Sequence, residues 1–201
     1  MALYLCNGGS GSVEDIQIAD FDFTKSLTDS INGFTATLSG DVSRTNDGLL
    51  FGSTNTGKAL LNHLEGILSL YGGFSFEIGF GETNITPSSH VRFFTISSNS
   101  ECGFIYRYGG ANNKFSMYFK DGWASNSDIT DPNYFSNKTL KLDYEWGNLL
   151  KYYDGKNVIY TLTHSLTANY GSSITQQFSI GGASQSLINS YVKSVKVFFH
   201  K

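Results

Sequence analysis

The chain has 201 residues, a net charge of −3 and only 15% charged side chains. That length suits one large β domain or two small ones, and such a chain can bury a core without disulfides. No basic stripe or Arg-rich run is present, which excludes electrostatic capture of nucleic acid, and no apolar stretch approaches the ~20 residues that cross a bilayer, so no membrane insertion is expected.

Met1 to Ser12 carries no basic region, and its apolar run stops at Cys6, so it does not read as a signal peptide. We read residues 1–15 as a Gly-rich head and 16–201 as one domain. Cys6 and Cys102 lie far apart in sequence, have no metal-ligand spacing and read as two thiols rather than a bridge.

Helical periodicity is nearly absent. The segment Lys58 to Leu70 lacks a clean apolar stripe and reads as a strand over Lys58–Leu64 followed by a loop. Strand signals are dense. Phe74, Phe76, Ile78 and Phe80 alternate with Ser75, Glu77 and Gly79. Phe104, Tyr106 and Tyr108 alternate with Ile105 and Arg107, and Phe115, Met117 and Phe119 with Ser116 and Tyr118. Leu140, Leu142, Tyr144 and Trp146 alternate with Lys141, Asp143 and Glu145, which places Trp146 in the core. Near the end, Tyr191, Val195, Val197 and Phe199 share one parity.

Asp47-Gly48, Gly109-Gly110, Asp121-Gly122, Gly147-Asn148, Asp154-Gly155 and Gly181-Gly182 punctuate these runs with residues that tolerate the positive φ of tight turns. Asp143 to Tyr160 reads as a three-stranded meander. Many short strands, each with one apolar face, predict an all-β, two-sheet antiparallel jelly-roll sandwich.

The order of several segments carries a family resemblance. Ala19–Phe23, Leu49–Gly52, the GFSFEIGF stretch at 73–80, Lys151–Lys156 with its Asp154-Gly155 turn, Phe178–Gly182 and Val192–Phe199 follow one another as in the concanavalin A-like lectin/glucanase superfamily. The chain resembles its laminin-G-like jelly-roll domains from about Ile16 to Phe199. The superfamily hosts lectins, carbohydrate-binding modules, adhesion domains and glycosidases, so the resemblance implies a fold and leaves function to the site.

Glycosidases of the superfamily resemble E-x-D-x-x-E. Here Glu77 and Glu82 occupy the outer positions, but Gly79 stands where the Asp belongs, and residues five apart on a regular strand point to opposite faces unless a bulge at Gly81 intervenes. We therefore expect no enzyme. No resident cofactor is expected either. Calcium is the one ion the resemblance allows, with Asp20, Asp22, Asp128 and Asp131 as ligands, although isolated loop Asp residues are more often turn formers. The four His show no zinc spacing. GSTNTGK at 52–58 departs from the phosphate-loop pattern and sits among strands.

Aromatic rings stack on the CH faces of sugars, while neighbouring polar groups bond their hydroxyls. Trp123 follows the Asp121-Gly122 turn and precedes a polar loop, so it belongs at a sheet rim; the competing reading is an anchor packed under its own turn. Tyr118 and Arg107 have the parity opposite to their strands' apolar sets, and Asn112 and Asn113 offer amides. These five residues form the candidate carbohydrate site. The primary expectation is a non-catalytic domain that binds carbohydrate or a glycosylated surface, extracellular or on a virion. The rival is a structural or adhesion component of a phage or prophage tail appendage, which would be a homo-oligomer. A glycosidase using Glu77 and Glu82 is the third reading.

Overall fold

A computed structural model describes residues 15–62, 64, 73–88, 90–96, 102–109, 113–119, 122–125, 129–145, 149–154, 156–162, 178–182 and 187–200. Among these, every regular element is a strand. In chain order they are β1 (Ile16–Asp22), β2 (Ala36–Ser39), β3 (Val42–Thr45), β4 (Gly48–Phe51), β5 (Lys58–Leu61), β6 (Gly73–Thr83), β7 (Val91–Ile96) and β8 (Cys102–Arg107). There follow β9 (Lys114–Phe119), β10 (Gly122–Ser125), β11 (Thr139–Glu145), β12 (Leu149–Asp154), β13 (Asn157–Leu162), β14 (Phe178–Gly181) and β15 (Ser190–His200).

The strands form two antiparallel sheets, as the alternating patterns predict. One runs β13-β12-β11-β6-β15-β4-β3, with β1 also paired to β15; the other runs β10-β9-β8-β7-β14-β5-β2. The long strand β15 divides one edge between two partners. Its first residues pair with β4, and Ser194 onward pairs with β1.

Between the sheets lies an aromatic core. Phe76 of the first sheet meets Phe94 and Phe178 of the second at centroid distances of 5.0 and 4.8 Å. Phe93 packs against Phe80, Phe115 and Phe135 at 5.6, 5.2 and 6.4 Å. A register shift between Arg92 and Phe94 explains how two successive residues of β7 both face inward.

A second bulge corrects the expected parity of the last strand. Val195, Val197 and Phe199 are buried, as the alternation predicts, but Tyr191 is only half-buried and Val192 takes the core position. The register shifts between Val192 and Ser194, and one extra residue exchanges the two faces. Tyr108 also departs from its predicted face: β8 ends at Arg107, and Tyr108 is exposed beyond it. The strand expected over Lys58–Leu64 ends at Leu61, although Leu64 is still buried. The expected core position Trp146 and the Gly147-Asn148 turn lie outside the described residues, as does the head before Asp15.

Candidate functional site

Strands β8, β9 and β10 form one margin of the seven-stranded sheet. Trp123 pairs with Tyr118, and Tyr118 with Gly103. The same row continues through Thr95, Ser179, Leu60 and Thr37, crossing all seven strands. Trp123 thus stands within an edge strand rather than in a loop. Thr95 and Ser179 alternate with the inward Phe94, Phe178 and Ile180, yet they are themselves buried, and Thr95 Oγ1 has no hydrogen-bond partner among the described residues.

Arg107 lies elsewhere on this sheet. It pairs with Lys114 at the far end of β8, four residues from Gly103, or roughly 13 Å along the strand at ~3.3 Å per residue. Asn113 belongs to the turn there: its Oδ1 accepts the Gly109 N–H at 3.0 Å. Gly109 itself has φ +111°, the conformation for which a glycine was expected in this turn. Asn112 lies outside the described residues. The structure therefore splits the five residues into an aromatic pair by register and a turn group around Arg107 and Asn113.

That turn belongs to a larger gathering of loops. β4 and β5, β6 and β7, and β14 and β15 are successive strands in opposite sheets, and Ser190 pairs with both Phe51 and Thr83, so the ends of β4 and β6 lie beside the start of β15. The segment 129–138 joins them. Asn133 Oδ1 accepts the Ile85 N–H at 2.7 Å, its Nδ2 donates to the Ile85 carbonyl at 3.1 Å, and Tyr106 donates its hydroxyl to the Thr130 carbonyl at 2.6 Å. Burial pushes the Tyr106 phenol above its ordinary value, and the Asp131 charge adds to that.

Among these loops lies a cavity of about 270 Å³, lined by Ser53, Thr54, Asn55, Ser88, Val91 and Ile188, with Pro87 at its side. Its walls are held from behind. The Asp41 carboxylate accepts the Thr54 N–H at 2.8 Å and its hydroxyl at 2.9 Å. Those bonds hold the Asp41 carboxyl below its ordinary value. Asn189, at φ +46°, donates its N–H to the Gly52 carbonyl and accepts the Asn84 N–H, each at 2.9 Å, so one residue ties three loops together. In the sequence this region shows only as GSTNTGK at 52–58, which departs from the phosphate-loop pattern. No single residue of the cavity is distinctive, and the lining assembles only when three crossovers meet.

The carboxylates considered for catalysis face other partners. Glu77 is half-buried, 4.0 Å from Lys141 Nζ, in a row that alternates in charge through Lys141, Glu77, Lys196 and Asp20. Glu82 is exposed. The register of β6 against β15 does shift near Gly81, between Phe80 and Thr83. Of the aspartates considered for calcium, Asp22 is taken by Thr24 and Lys25, whose bonds lower its pKa, and Asp131 accepts the Asn133 N–H. Asp20 takes part in the charge row, and Asp128 lies outside the described residues. Among the described residues, no group of three or more His, Cys, Asp or Glu is placed to hold a metal ion.

Two antiparallel sheets stacked around one core define a β-sandwich of jelly-roll-like type, and known structures share it. Domain 4 of AbnA, a GH43 extracellular arabinanase from Geobacillus stearothermophilus solved in complex with arabinotriose, matches with a TM-score of 0.65 and 12% identity, over 93% of this chain and 94% of that one. A Trypanosoma rangeli sialidase matches at 0.67 and 12%, over 90% of this chain and 30% of that one. The receptor-binding domain of botulinum neurotoxin C/D mosaic serotype matches at 0.56 and 15%, over 91% and 47%. At these identities the likeness is one of fold. No family model matches the sequence, and no curated protein does.

Proposed function

We propose that this chain is a non-catalytic domain of concanavalin A-like, laminin-G-like type that binds carbohydrate or a glycosylated surface. Trp123 and Tyr118 serve as stacking residues for one sugar unit, and Arg107, Asn112 and Asn113 as polar contacts for other parts of an extended glycan. The observation that carries the reading is the register of β9 and β10. Two aromatics from separate segments stand directly opposite each other on adjacent strands. Cross-strand neighbours lie ~4.5–5.5 Å apart, close enough to serve one sugar unit. The arabinanase domain, crystallised with arabinotriose, supports the reading as a fold-level analogy. The ion-paired Glu77, with Gly79 where a carboxylate belongs, supports binding over hydrolysis. On this reading the partner is met outside the cell or on a virion surface.

A glycan array that includes arabino-oligosaccharides, run with and without calcium, tests it. The expected result is a selective hit that Trp123→Ala weakens at least tenfold. An array blank in both conditions, together with a trimeric or larger mass in light scattering, would sink the reading in favour of a tail-appendage assembly protein.

A further inference from the structure

The cavity between the crossover loops is separate from the aromatic pair, and its chemistry is distinct. We infer that it is a second site, which takes one neutral sugar unit, such as the terminal residue of a glycan, end-on. The inference rests on the carbohydrate-binding reading above and adds a site and a ligand class to it.

Size comes first. At about 270 Å³ the cavity sits at or below the small end of the ~300–1,000 Å³ typical of small-molecule sites, so it suits a ring rather than a chain. Composition comes second. Its lining combines uncharged hydrogen-bonding side chains, Ser53, Thr54, Asn55 and Ser88, with an apolar wall of Val91 and Ile188. A pyranose or furanose presents the same two characters, hydroxyls on its rim and CH groups on its faces. Among the described residues the lining carries no charged side chain, so an anionic sugar would give up hydration of its carboxylate without gaining an ion pair there, and the site selects against it.

Rigidity is the third argument. Binding costs less when the walls need no ordering. Thr54 is held by Asp41, and the Ile188 carbonyl accepts the Ser190 hydroxyl at 2.8 Å. Next to Ile188, Asn189 occupies the left-handed region, a conformation asparagine takes more readily than most residues with a Cβ. Its two backbone bonds, to Gly52 and Asn84, bring 52–57 and 84–88 to their places around the cavity. These bonds maintain the shape of a preformed hollow.

The test uses the full chain, labelled with ¹⁵N and titrated with three probes: methyl α-L-arabinofuranoside, methyl β-D-galactopyranoside and N-acetylneuraminic acid. The expected result is saturable shifts at Thr54, Ser88 and Ile188 with at least one neutral glycoside and none with the acid. Ser88 is exposed, so Ser88→Tyr fills the mouth without touching the core. It should weaken that glycoside at least tenfold, whereas Trp123→Ala should leave it within twofold. Shifts that survive Ser88→Tyr, equal response to the acid, or no response at the three residues would each overturn the inference. If the array finds a glycan that Trp123→Ala abolishes while these residues stay silent, the second site fails and the binding reading stands. If neither responds, both fail.

Discussion

The Asp41 carboxylate grips Thr54 twice, through the backbone N–H at 2.8 Å and the hydroxyl at 2.9 Å, and so joins the β2–β3 turn to the β4–β5 loop. These donors favour the ionised form and lower its pKa. A carboxyl lowered on folding stabilises the fold above its unfolded value, and that contribution is lost as pH falls through the folded value. Asp41→Asn should therefore be less stable than the parent at pH 7. The gap should close as pH drops below the ordinary carboxylate value of about 3.9. Urea midpoints measured from pH 7 to pH 2.5 check this; a gap that persists unchanged at pH 2.5 contradicts it.

Gly40 and Gly33 separate backbone strain from collision. Both have positive φ, +68° and +73°. A Cβ at Gly33 meets nothing within 4 Å among the described residues, whereas one at Gly40 would run into the backbone carbonyl of Thr56. Gly33→Ala should cost about 1 kcal/mol, the strain of the left-handed region for a residue with a Cβ. Gly40→Ala should cost at least ~2 kcal/mol, because the Thr56 carbonyl belongs to a loop that cannot yield cheaply. Equal losses in chemical denaturation would show that the β2–β3 turn can move.

Asp29 is buried, and its carboxylate organises the loop after β1. Oδ1 accepts the N–H groups of Asp20 and Ile31 at 2.8 and 3.0 Å, and Oδ2 accepts that of Asn32 at 2.8 Å. Asp29→Ala orphans three backbone donors, and a loss of about 2–4 kcal/mol is expected. Asp29→Asn keeps one accepting oxygen and should lose less. A loss under 1 kcal/mol for the alanine variant would mean that water replaces the carboxylate.

His200 links Asp15, just before β1, to Asp143 on β11, across β6 in the same sheet. Its Nδ1 lies 2.5 Å from Asp15 Oδ1 and its Nε2 2.7 Å from Asp143 Oδ1. Removing the ring in His200→Leu should let the first residues of β1 open locally, with amide exchange near Gln17 faster by about tenfold, or ~1.4 kcal/mol. The middle of β6 should be unaffected. Uniform acceleration across both strands would point instead to global destabilisation.

Much of this architecture is legible in local sequence. Phe76, Ile78 and Phe80 alternate with polar residues and are buried, and Leu140 and Leu142 do the same on the neighbouring strand. Period-2 burial is a property of the strand itself, so it survives in the sequence. Asp47-Gly48 marks a turn for a related reason: Gly48, the first residue of β4 and the end of the turn from β3, has φ +119°. The short strands β2, β3 and β10 left weaker traces, because four residues hold too little alternation to stand out from a loop.

What the chain dictates locally, then, is strand character, the inward face and the turns, because backbone sterics and side-chain alternation act within a few residues. Partnership is another matter. That Trp123 stands opposite Tyr118, that Arg107 lies some four residues along the strand from both, and that Asn189 ties three distant loops around a cavity follow from register and crossover. Those are settled only when two sheets close on one core. A single bulge, such as the one between Val192 and Ser194, reverses the face of every residue beyond it, and no local pattern announces it.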